Sequence, residues 1–101
     1  MIRHVVALQL DSADDTVRRH QAEEIKSRLE ALADVDDGRL DIAVHVDLGL
    51  VESHWPVLLV IDFIDKDALL AYQTHSRHVE VLEWMNLGIV SDRVVIDYEV
   101  T

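Results

Sequence analysis

Val57-Leu58-Leu59-Val60-Ile61-Asp62-Phe63-Ile64 runs directly into Asp65-Lys66-Asp67-Ala68-Leu69-Leu70-Ala71-Tyr72, and the join between them decides the fold. The first segment is apolar everywhere except Asp62, so it predicts a strand apolar on both faces. The second predicts a short helix that starts on Asp65, whose carboxylate can accept free backbone N–H groups. Upstream, Ile2 to Leu10 alternates, with Ile2, His4, Val6, Leu8 and Leu10 on one side and Arg3, Val5, Ala7 and Gln9 on the other. A second alternating run sets Leu40, Ile42, Val44, Val46 and Leu48 against Asp41, Ala43, His45 and Asp47. Arg93 to Val100 alternates once more and predicts the last strand.

Helical spacing fills the gaps. Ser12 or Asp14 can cap a helix whose inner face is Val17, Ala22, Ile25, Leu29 and Leu32, with Glu24 able to pair with Arg28 one turn on. Asp36-Asp37-Gly38 ends that stretch in a turn, and the acidic run at Asp34, Asp36 and Asp37 reads as solvated. Gly49 to Pro56 reads as a loop. After Tyr72, Ser76 can start another helix with Val79, Leu82 and Met85 inward, His78 beside Leu82, and Gly88 as terminator. The order is β-α-β-β-α(α)-β, an α+β chain of ferredoxin-like topology with a four-stranded antiparallel sheet, expected as one domain over residues 1–101. Helices cover one face of that sheet. Leu58, Val60 and Ile64 with Val5 and Ala7 would stay bare on the other, which predicts a homodimer through that apolar face, burying on the order of 1,200–2,000 Å².

Twenty acidic residues against nine basic ones give a formal charge of −11, which opposes nucleic acid and anionic lipid because both need a basic footprint. No apolar run is long enough to span a bilayer, and the first residues lack the charged start and cleavage site of a secretory leader. Cysteine is absent, so disulfide and thiolate chemistry are not available. A cytoplasmic protein is expected.

The chemistry concentrates in Tyr72-Gln-Thr-His75-Ser-Arg-His78, a phenol and two imidazoles at the join of two helical patterns. His78 is the candidate general base, because an imidazole titrates near neutral pH. Tyr72 can steady a carbonyl or enolate oxygen. His4 alternates onto the helix-facing side of the first strand and can join them, and His75 is a candidate ligand contact. For each, packing inside a hydrogen-bonded core is the competing role. His75 and His78 lack a third ligand on their face for zinc, and His45 with Asp47 is an equally incomplete pair, so no metal is expected. No phosphate loop, nucleotide fingerprint or nucleophile elbow is present, and no cofactor is expected. Trp55 and Trp84 read as packing or interface anchors.

Together, Met1-Ile-Arg-His4-Val-Val6, Val60-Ile-Asp-Phe63, Ala68 to Val79 and Val94-Val-Ile-Asp97-Tyr98-Glu99-Val100 resemble the stress-responsive dimeric α/β-barrel (Dabb) family over essentially the whole chain. The resemblance implies a ferredoxin-like monomer whose sheet pairs with a second sheet into a barrel. It implies fold more strongly than activity, since the family mixes stress-induced proteins of undefined biochemistry and bacterial members of unknown role with a polyketide cyclase. In cyclase-like members a tyrosine and a histidine matching Tyr72 and His78 line a cavity between helices and sheet, with the histidine as general base and a first-strand histidine, here His4, alongside. Ser76 stands where the family commonly has proline, and Val57 where those members carry a further histidine. Two classes therefore remain: a small dimeric barrel that binds a ligand or none, and a cofactor-independent cyclase or isomerase. Cofactor-free monooxygenases share the architecture and stand third.

Overall fold

The computed structural model describes residues 1–34 and 39–101. Its elements are β1 (Ile2–Leu10), α1 (Asp15–Glu30), a 3-10 turn (Ala31–Asp34), β2 (Arg39–Val46), β3 (Val57–Phe63), α2 (Lys66–Thr74), α3 (Ser76–Met85) and β4 (Val90–Glu99). The strands form one antiparallel sheet in the order β2-β3-β1-β4, the ferredoxin-like arrangement read from the sequence. The turn expected at Asp36-Asp37-Gly38 and the side chain of Leu40 lie outside the described residues.

Local chemistry sets the helix starts. Asp14 accepts from the Val17 N–H at 3.0 Å to open α1, and Asp65 accepts from the Ala68 N–H at 2.9 Å to open α2. The start of α3 departs from expectation: the cap is His75, whose Nδ1 accepts from the Arg77 N–H at 3.2 Å, and Ser76 is already helical. This register turns His78, Val81 and Met85 inward, while Val79 and Leu82 are half-buried at the flanks. Gly88 follows the end of α3 with φ of 88°, a left-handed conformation that suits glycine and reverses the chain into β4.

Pairing register sorts the side chains onto two faces. Toward the helices point Val6, Leu8 and Leu10 from β1, Val44 from β2, and Val57, Leu59, Ile61 and Phe63 from β3. Ala22, Ile25 and Leu29 of α1, Leu32 just beyond it, and Leu69 and Tyr72 of α2 close over them to form one core. Val17, expected there, is 42 % exposed, one turn too early on α1 to reach the sheet. Leu48 is 78 % exposed, because the Asp47 N–H bonds the Pro56 carbonyl at 2.8 Å and the chain leaves the sheet at Val46.

The opposite face carries Val5 and Ala7, Ala43 and His45, Leu58 and Val60, and, beyond the sequence expectation, Val94, Ile96 and Tyr98 of β4. Among the described residues no helix packs on it, and Ile96 is 58 % exposed. Amid these apolar groups Arg3 binds Asp62 through two bonds of 2.8 and 3.0 Å, which keeps the Asp62 carboxyl below its usual range.

Candidate functional site

Four chain segments meet at one end of the helix–sheet interface. β1 brings His4, α2 brings Tyr72, α3 brings His78, and β4 brings Asp97 opposite His4 in the register. Tyr72 is fully buried and sits between Phe63 and His78, with ring centroids 5.4 and 4.4 Å away. Tyr72 and His78 are in ring contact, and His4 is near enough for its charge to act on His78.

Each imidazole has its protons arranged by a neighbour. His78 Nδ1 lies 3.2 Å from the Gln73 carbonyl, which can only accept, so Nδ1 carries the hydrogen and Nε2 keeps the lone pair. Burial lowers the His78 pKa, the Gln73 bond works against that shift, and the charges of His4 and His75 add to it. The outcome is a neutral imidazole at pH 7 with a basic nitrogen at Nε2. His4 Nδ1 lies 2.5 Å from Asp97 Oδ1, a charge-assisted contact that orients the second ring in the same sense. His4 is 5 % exposed and Asp97 41 %, so Asp97 is the outer member of that pair.

His75 does not join this group. It faces the surface partly and spends Nδ1 on the α3 cap. His45 lies exposed on the open face, and Asp47 instead approaches His54 Nδ1 at 3.4 Å. Among the described residues, no three His, Asp or Glu side chains are gathered as a metal site would need. A cavity of about 400 Å³ lies elsewhere, between the first turns of α1 and the loop from Asp47 to Pro56.

The family model for the stress responsive A/B barrel domain matches residues 2–100. The chain belongs to that family. A dimeric, ferredoxin-like protein of unknown function from Bacteroides fragilis superposes with a TM-score of 0.86 at 23 % identity, over 98 % of this chain and 95 % of that one. A dimeric ferredoxin-like protein of unknown function from Thermobifida fusca gives 0.80 at 27 %, over 98 % and 90 %. Hydroxynitrile lyase from Passiflora edulis gives 0.77 at 17 %, over 99 % and 93 %, a likeness of fold. No curated protein matches the sequence. As an A/B barrel domain, the chain has a ferredoxin-like fold, and no specific activity comes with that membership. Among the described residues no helix is long and apolar enough to cross a membrane.

Asp97 is the site residue that sequence reasoning missed. In Val94-Val95-Ile96-Asp97-Tyr98 it looks like the solvent-facing member of an alternating strand. Its partner lies 93 positions away, and only the strand register reveals it.

Proposed function

We propose that the protein works as a homodimer, closed through the open sheet face, and holds a small carbonyl compound at the His4–Tyr72–His78 group, where His78 removes a proton next to the carbonyl without a cofactor. The observation that carries this is the fixed, neutral state of His78, with its hydrogen bound to the Gln73 carbonyl and the lone pair kept on Nε2. Tyr72 would steady the oxygen on which charge develops, and the protonated His78 would give a proton back, with His4, held by Asp97, beside it. Asp97 marks the approach, since it is the exposed member beside an otherwise buried group. The Passiflora hydroxynitrile lyase is a precedent for enzyme chemistry on this fold. Dimeric relatives and the bare apolar face support the assembly. An acidic, cysteine-free chain suits the cytoplasm, and its charge opposes nucleic acid as a partner.

Binding without turnover is the alternative. It is favoured by the close packing of the Tyr72 and His78 rings, both of them buried. Deuterium exchange into a panel of 1,3-diketones and β-keto acids, followed by NMR in D2O, separates the two. Proton transfer predicts exchange faster than buffer, reduced roughly 10²- to 10⁴-fold in His78→Ala with the circular dichroism retained. Exchange at the buffer rate for every compound, or exchange unchanged in His78→Ala, overturns it. Broadened ligand signals without exchange establish the binding role instead.

A further inference from the structure

Tyr72, His78 and His4 are all buried, so a molecule larger than water meets these rings only if a covering element moves. The three helices differ in what holds them down. α1 packs along β2 and buries Ala22, Ile25 and Leu29 in the core. α2 packs on β1 and β3, and Tyr72 stacks against Phe63 of the sheet. Among the described residues, α3 rests chiefly on α2 and α1 and meets the sheet only thinly.

Both ends of α3 are joints. At its start the helix pair breaks at His75, whose ψ of 134° is extended, so α2 and α3 are separate rods. At its end Gly88 has φ of 88°, with open space where a side chain would begin. The ties from α3 to α1 lie where water competes with them. Exposed Arg77 donates to the Ala31 carbonyl at 3.0 Å, and the Arg28 guanidinium sits 4.0 Å from the centre of the half-buried Trp84 ring. The inner bond, from His78 to the Gln73 carbonyl, crosses the first joint and reaches only the end of α2.

We propose that α3 is the lid of this site, swinging outward on His75 and Gly88 and lifting His78 off Tyr72. A ligand then settles on Tyr72 and His4, and closure brings the His78 imidazole down onto it. The lid rests on the reading of these residues as the site, but its opening is measured on the free protein and needs no turnover.

The chain has no cysteine, so one introduced thiol reports the opening around it. Val81→Cys puts a thiol on the inner face of α3, and Val44→Cys puts one on the helix-covered face of β2. In the full-length protein, each labelling rate with dithionitrobenzoate is referred to that variant's own urea unfolding constant. Val81→Cys should then react at least roughly tenfold faster than Val44→Cys. Adding Arg77→Ala should speed Val81→Cys about threefold and leave Val44→Cys unchanged. Acylation of His78 by diethyl pyrocarbonate, located by peptide mass spectrometry, should rise in the same proportion. Amide exchange of the unsubstituted protein gives the same reading without a variant: residues 79–86 should exchange ahead of residues 22–29 and of β1. Equal thiol rates, or α3 amides exchanging in step with β1, overturn the lid, because α3 then opens only with the whole fold. A His78 acylation rate that ignores Arg77→Ala while the thiol speeds up also overturns it, because the site then opens elsewhere. Thiol and His78 rates as described, with no diketone exchanging, would remove the proton-transfer reading and leave the lid standing.

Discussion

The two faces of the sheet are made from the same strands, one residue out of step, and they meet different fates. On one face Val6, Leu59 and Ile61 are sealed by helices of their own chain. On the other, Val5, Val60 and Ile96 are nearly as apolar and have no cover from their own chain. A second difference is polar. The helix face hides two imidazoles and a phenol at one end, whereas the open face carries the paired Arg3–Asp62 near the start of β1 and the end of β3. Sealing by helices produces a low-polarity site that can hold His78 neutral. Leaving the other face apolar produces a surface of the kind that marks association.

The largest effect should come from emptying the sealed face. Phe63→Ala should cost about 3–5 kcal/mol in urea unfolding, since Phe63 is fully buried against Tyr72. Next, Ile96→Asp should raise the dimer dissociation constant roughly 100-fold in sedimentation while the helix content of the separated chain stays the same. If Ile96→Asp unfolds the chain outright, the two faces are not independent. Smaller again, Asp62→Asn should weaken the dimer roughly tenfold by leaving Arg3 without its anionic partner on the covered face.

Acid should separate the faces in sequence. Burial depresses the folded pKa of His78, so the unfolded chain binds its proton first. Stability is therefore full above the ordinary imidazole value of 6.5 and falls as the pH drops through it. Asp62 is also depressed, and its contribution is fully present above the ordinary carboxyl value of 3.8 and is lost only below it. Unfolding midpoints measured across this range should show the first loss abolished in His78→Phe and retained in Asp62→Asn.

Where alternation is strict, the elements could be read directly. β1 falls on Ile2–Leu10 as expected, because every second residue there except His4 is apolar and no glycine intrudes. β4 begins three residues earlier than read, since Val90-Ser91-Asp92 shows no alternation and is held by pairing to β1 across a bulge at Gln9/Leu10. The inner face of α3 is offset by one residue because hydrophobicity favours Val79 over His78, whereas the His75 cap sets the actual register. Tyr72, His78 and His4 were visible as residue types with the capacity to exchange protons. Asp97, the Gln73 carbonyl and the cavity beside α1 depend on contacts across the chain, which no local pattern encodes.

The most direct test of the two-face account is the mass of the unmodified protein in solution. Sedimentation equilibrium at micromolar concentration should give twice the 11.5 kDa chain mass, returning toward 11.5 kDa in Ile96→Asp. A wild-type protein that stays at 11.5 kDa throughout that range would contradict it.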